Sequence, residues 1–181
     1  MKNLQHQGYS EWLVIRCQQG EKTAFNDLLE HWHRRFYLYA LRRLGDRDAA
    51  LDATQDCLLS ISRGLQNLAD PAAFPKWSYQ ILERRCVDNL RRTLRDREVL
   101  QADDGITDSG IEEQDALNSR LTVQELLATL DPRLETVLRL FYLEELGIEE
   151  IAEICALPPG TVKSRLYYAR KLLAGALQDS E

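Results

Sequence analysis

Two groups of cations in this chain have the residue types and spacing to hold a polyanion. In the first, Lys163, Arg165, Arg170 and Lys171 lie among Thr161, Ser164, Tyr167 and Tyr168, and no acidic residue occurs from Thr161 until Asp179. Ammonium and guanidinium groups neutralise phosphates, while hydroxyls reach base edges. In the second, Lys76, Arg84, Arg85, Arg91, Arg92, Arg95 and Arg97 stand against only Glu83, Asp88 and Asp96, with Trp77 and Tyr79 nearby. Cations beside aromatic rings suit phosphate neutralisation and stacking on unpaired bases. An arginine-rich helix laced by pairs such as Asp88 with Arg92 reads the same way, and both readings stand on this pattern.

A third group has the opposite sign. Asp52, Gln55, Asp56, Leu59 and Arg63 share the outward side of one helical repeat. A leucine among carboxylates fits a protein partner that carries basic and apolar groups. A plain acidic surface helix fits equally well. No nucleophile–base set, phosphate loop or metal cluster occurs at chemically meaningful spacing, so catalysis and bound cofactors are not expected. Cys17, Cys57, Cys86 and Cys155 are scattered through apolar helical patterns and predict buried free thiols in a reducing cytoplasm. His31 and His33 flank Trp32, and residues two apart on a helix do not share a face, so no metal site is expected there.

The elements that position the first cluster are two helices joined by a tight turn. Ile151, Ala152 and Cys155 make one apolar stripe, and Pro158, Pro159 and Gly160 interrupt it. A proline in the first turn of the next helix wastes no N–H. There Val162, Leu166, Ala169 and Leu173 fall on one side, opposite Ser164, Tyr167, Tyr168 and Lys171. Small Ala152 permits a close crossing. This is helix-turn-helix patterning, in which the second helix enters the DNA major groove. A solvated antiparallel helix pair is the plainer alternative; the turn, the alanine and the acid-free helix together favour DNA.

The remaining chain is helical in pattern throughout. Trp12, Leu13 and Ile15 mark one helix, Gly20 ends it, and Ala24, Phe25, Leu28, Leu29, Trp32, Phe36, Tyr39 and Ala40 mark the next up to Gly45. Asp46 is the expected N-cap of a helix to Gly64 with Ala50, Ala53, Thr54, Cys57, Leu58 and Ile61 inward. Asp70-Pro71 starts the helix with Phe74, Trp77, Ile81, Leu82 and Val87. From Glu98 to Ser119 acids, glycine and serine predict an exposed linker, extended by like charges. Helices then resume at Arg120, with Asp131-Pro132 capping one of them. The expected architecture is all-α: one domain over 10–97, an acidic linker over 98–119 and a second domain over 120–178.

Totals agree. The 181 residues suit two small domains, and a net charge of −6 excludes coating of nucleic acid by bulk charge while allowing basic faces. The first residues lack the apolar core of a signal peptide, and no run is long and apolar enough to span a bilayer, so a cytoplasmic protein is expected.

Taken in order, these residues resemble the extracytoplasmic-function group of bacterial sigma-70 factors. Leu130-Asp131-Pro132-Arg133, Glu149-Glu150-Ile151-Ala152, Gly160 to Leu166 and Ala169-Arg170 are similar to region 4 of that family. Ala24-Phe25, Ala50, Asp52, Gln55, Asp56, Trp77, Ile81, Asp88 and Arg91 are similar to region 2. The resemblance implies a dissociable subunit of RNA polymerase core that directs initiation. It implies docking of Asp52, Gln55, Asp56 and Leu59 on the β′ clamp helices, and of region 4 near the β flap. Lys76, Trp77, Arg84, Arg85, Asp88, Arg91, Arg92 and Arg95 would open the −10 element. Thr161, Lys163, Ser164, Tyr167, Tyr168 and Lys171 would read the −35 element, with Arg133, Arg165 and Arg170 on phosphates. It further implies an anti-sigma partner. A decoy that sequesters an anti-sigma factor and a stand-alone helix-turn-helix regulator are the alternatives.

Overall fold

The protein was studied as a computed structural model, which describes residues 2–100 and 130–178. Every regular element among them is helical: α1 (Lys2–Gln18), α2 (Lys22–Leu44), α3 (Arg47–Gly64), α4 (Phe74–Leu100), α5 (Pro132–Tyr142), α6 (Ile148–Cys155) and α7 (Pro159–Gln178), with single 3-10 turns at Leu65–Asn67 and Pro71–Ala73. The all-α expectation holds.

Local chemistry accounts for the helix ends. Gly20 and Gly45 take φ of +88° and +72°, a left-handed conformation that glycine adopts without a Cβ clash, and they close α1 and α2. The Asp46 carboxylate accepts the Ala49 N–H at 2.8 Å and starts α3. Asp70 and Asp131 cap in the same way, each followed by proline. Pro159 opens α7 where the missing N–H costs nothing.

The N-terminal body wraps α1, α3 and α4 around α2. Its centre is aromatic: Trp32 lies with ring centroids 5.3 Å from Phe36 and 5.4 Å from Phe74, and its Nε1–H donates to Ser10 Oγ at 3.1 Å. Such offset and edge contacts add to the area they bury. α3 buries Ala50, Ala53, Thr54, Cys57 and Ile61, five of the six expected, with Leu58 partly covered. α1 differs from expectation. It buries Leu13, Val14 and Cys17, whereas Trp12 and Ile15 are exposed and Trp12 carries the Arg16 guanidinium 4.2 Å above its ring. The helical period puts 13, 14 and 17 on one side, which leaves 12 and 15 outside.

α4 also differs. It continues through Leu100, beyond the expected boundary at Arg97, so the first residues assigned to the linker are helical. The rest of that linker and the helix expected from Arg120 to residue 129 lie outside the described residues.

The C-terminal body closes Val137, Leu138 and Leu140 of α5, Ile151, Ala152 and Ile154 of α6, and Val162, Leu166 and Ala169 of α7 into one core. It then packs on the N-terminal body, α5 against α2 and α6 against α4.

Candidate nucleic-acid interface

α7 is amphipathic in the sense its spacing requires. Val162, Leu166 and Ala169 are buried and Leu173 partly so, while Lys163, Ser164, Tyr167, Tyr168, Arg170 and Lys171 are exposed. Tyr167 and Tyr168 are, with Leu94, the most exposed large hydrophobic side chains among the described residues, at 60% and 59%, with their rings 5.6 Å apart. Exposed neighbouring tyrosines present both rings and hydroxyls to a ligand surface. Thr161, in the first turn, is half-buried, and its carbonyl accepts from Ser164 Oγ at 3.0 Å. Arg170 Nε donates to the Leu166 carbonyl at 3.1 Å, which ties its stem to the helix and leaves the guanidinium tip outside.

Arg165 and Arg133 lie elsewhere. Both border a cleft of about 210 Å³ between the two bodies, together with Arg43, Thr136 and Cys155. Burial beside Glu83 pushes the Cys155 thiol up to about 11, which keeps it protonated at neutral pH. Cys17, Cys57 and Cys86 are buried free thiols, as expected, and Cys155 is half-buried.

On α4 the expected cations divide. Arg84, Arg91, Arg92 and Arg95 are exposed along its length, and Asp88 is half-buried with no ion pair to Arg92 among the described residues. Arg85 leans on α3, its Nη2 donating to Ser60 Oγ at 2.8 Å. Trp77 is half-buried against Phe74, with ring centroids 6.0 Å apart, and against Gly64, where an added Cβ would lie 2.9 Å from its ring. Lys76 is engaged by the other body: its Nζ lies 2.8 Å from Glu153 Oε2.

On α3, Asp52, Gln55 and Leu59 are exposed and Asp56 half-buried, with Leu59 at 54%. No described partner covers this face, so it meets solvent as an acidic strip around an apolar side chain.

The residues that sequence reading missed form the seam between the bodies. Glu135 is fully buried on α5: Arg139 Nε donates to its Oε1 at 2.7 Å, and Arg42 Nε of α2 lies 3.1 Å from Oε2, off the line a hydrogen bond requires. Glu144 accepts from Tyr79 Oη at 3.0 Å and Arg35 Nη1 at 3.1 Å. Burial raises its carboxyl above the usual range, with Arg35 and Tyr79 opposing that rise. Beneath them Tyr39 Oη and Arg43 both donate to Glu83, at 3.0 Å. The only hint in the sequence is the Glu135/Arg139 spacing, which suits an i,i+4 pair.

Among the described residues no cluster could hold a metal ion, and no helix is long and apolar enough to cross a membrane.

Residues 28–96 match the family Sigma-70 region 2, and residues 120–173 match Sigma-70, region 4. The chain is 30% identical to the RNA polymerase sigma-H factor of Pseudomonas aeruginosa, over 95% of both chains. It is 28% identical to the ECF RNA polymerase sigma factor SigW of Bacillus subtilis, over 92% of this chain and 95% of the other. Among solved structures, it superposes with a TM-score of 0.63 and 25% identity on the sigma factor RpoE of Bartonella quintana, crystallised with the anti-sigma factor NepR, over 85% of this chain and 96% of that one. The two regional matches in chain order, on two helical bodies that carry the surfaces just described, place the chain in the extracytoplasmic-function (ECF) group of the sigma-70 family.

Proposed function

We propose that this chain directs bacterial RNA polymerase core to a defined set of promoters and helps to melt the −10 element, and that an anti-sigma factor controls it. The observation that carries the reading is the opposition of surfaces. A reading helix exposes Lys163, Ser164, Tyr167, Tyr168 and Lys171 with no acid among them, while the α3 face exposes Asp52, Gln55 and Leu59. In this reading α7 meets the −35 element and α4 the −10 element, through Trp77 and the outer arginines. Arg133, Arg165 and Arg170 serve phosphates, and α3 docks on the β′ clamp helices. The chain itself catalyses nothing; phosphodiester synthesis belongs to the polymerase. Division into a region 2 body, a linker and a region 4 body follows the same reading, with the first boundary moved to the end of α4. Capture of unstacked bases on rings and guanidiniums offsets an unpairing cost of a few kcal/mol per base.

The test is reconstitution of the purified chain with bacterial core polymerase on a randomised promoter library, with sequencing of the transcripts. Expected are transcripts that share two upstream elements. Arg170→Ala should lower output across all selected promoters alike, whereas Ser164→Ala or Tyr168→Ala should change the −35 preference. Absence of transcripts, with an anti-sigma factor still bound, would leave the decoy reading. Tight sequence-specific duplex binding without polymerase would leave the stand-alone regulator.

A further inference from the structure

The cleft of about 210 Å³ holds more positive charge than its own acid balances. Glu83, the one carboxylate in its lining, accepts from Arg43 Nε and Nη2 at 3.0 Å and from Tyr39 Oη at 3.0 Å. That acid and one guanidinium therefore cancel. Arg133, at the start of α5, and Arg165, on α7, line the same cleft. Arg35, Arg42, Arg43 and Arg139 each meet a glutamate, but among the described residues no acid pairs with Arg133 or Arg165. Burial and Glu83 raise the Cys155 thiol while Arg165 and Arg43 oppose that rise, so cations from both bodies act on one sulfur. The Thr136 hydroxyl donates to the Pro132 carbonyl at 2.7 Å, which leaves the guanidiniums as the donors for any ligand.

Two uncompensated guanidiniums in one cavity call for a ligand with two negative charges. A phosphate group carries about that charge at neutral pH, and its oxygens match the guanidinium fork. Size narrows the choice. The cavity is smaller than the about 300–1,000 Å³ of pockets that enclose drug-sized ligands, so a DNA duplex cannot enter it. Pro132 and Leu157 give the lining an apolar part, which suits a short carbon body behind the phosphate. We propose that this cleft binds a small phosphorylated molecule, with Arg133 and Arg165 holding its phosphate dianion. The site is argued from the cleft and does not rest on the promoter reading. In that reading the same two arginines meet promoter phosphates, so the small ligand and the promoter would exclude one another there.

The test is calorimetric titration of the full chain with glycerol 3-phosphate, inorganic phosphate and glycerol, at about pH 8 so that both anions are doubly charged. The ester should bind with a Kd of about 1 mM or tighter, and glycerol should give no heat of binding. An ester at least about fivefold tighter than inorganic phosphate assigns the site to phosphate esters, whereas equal affinity assigns it to the free ion; both results support a phosphate site. Arg133→Ala and Arg165→Ala should each weaken binding at least about tenfold. Arg165→Lys keeps the charge without the fork and should fall between them and the wild type. Arg34, exposed on α2 and outside the cleft, is the control for bulk charge: Arg34→Ala should change affinity by less than about twofold. Arg133 is itself exposed, so its loss leaves both cores intact. No heat with either anion up to about 10 mM overturns the site. So does equal weakening by Arg34→Ala, which would mean diffuse attraction. Phosphate binding by a chain that directs no transcription would keep the site and remove the promoter reading, and the reverse pattern would do the opposite.

Discussion

Gly64 shows how a single position governs a candidate DNA contact. A Cβ there would meet Trp77 Cζ2 at 2.9 Å, and the Trp77 ring also packs near Phe74, with centroids 6.0 Å apart. The ring must move if Gly64 gains a methyl. Gly64→Ala should therefore cost about 1–3 kcal/mol, the usual penalty for overpacking, read by chemical denaturation. A shift in Trp77 emission should accompany it, and unchanged stability would mean the ring tolerates displacement. The aromatic type of Trp77 marked it as a candidate contact, but its tether to the end of α3 could not be read, since nothing in the local pattern joins residue 64 to residue 77. The same holds for Arg85. Its charge suggested phosphate, whereas its hydrogen bond to Ser60 gives it a structural duty as well.

At the scale of elements, helices were legible because their ends are written in local chemistry. Asp46, Asp70 and Asp131 cap where expected, and the apolar spacing of α7 gave the correct buried and exposed faces. Failures came where periodicity alone had to decide. In α1 four apolar residues run consecutively, Trp12, Leu13, Val14 and Ile15, and the packing against neighbouring helices covers only Leu13 and Val14. α6 ends with Ala156 at φ 52° and ψ 48°, the left-handed position usually taken by glycine. A Cβ in that conformation costs about 1–2 kcal/mol. Ala156→Gly should accordingly stabilise the C-terminal half by up to about 1 kcal/mol after the entropy of the freer unfolded chain is counted, seen as a raised thermal midpoint. Because Ala156 is exposed, no packing is lost. A lowered midpoint would show that the unfolded-state entropy wins.

At the scale of the whole molecule, the joining of the two bodies could not be read from sequence. Arg35 and Glu144 are 109 positions apart, and neither sits in a motif. The charge of the seam makes a prediction about acid. Burial is the largest influence on Glu144 and raises its carboxyl above the ordinary 4.5, so the docked state binds a proton more tightly than the undocked state. The proton-linked part of docking is thus fully present below about 4.5 and is lost as pH rises through the raised value, while the hydrogen bonds from Arg35 and Tyr79 remain. Lowering pH from 7 to 5 at fixed ionic strength should leave the molecule compact or tighten it, as judged by scattering. Expansion on acidification would mean that the ionised pair with Arg35 outweighs desolvation. For the same reason Glu144→Gln, which keeps an acceptor for Tyr79, should remain closed where Glu144→Arg opens.

Both halves of the seam belong to one polypeptide, and this sets how closure responds to cell conditions. A tethered surface meets its counterpart at an effective concentration near the millimolar range, whatever the number of molecules per cell. Dilution, overexpression or slow synthesis leaves the open fraction unchanged. Only a ligand with its own affinity for one half, or a change of solvent that acts on the charges of the seam, can alter it.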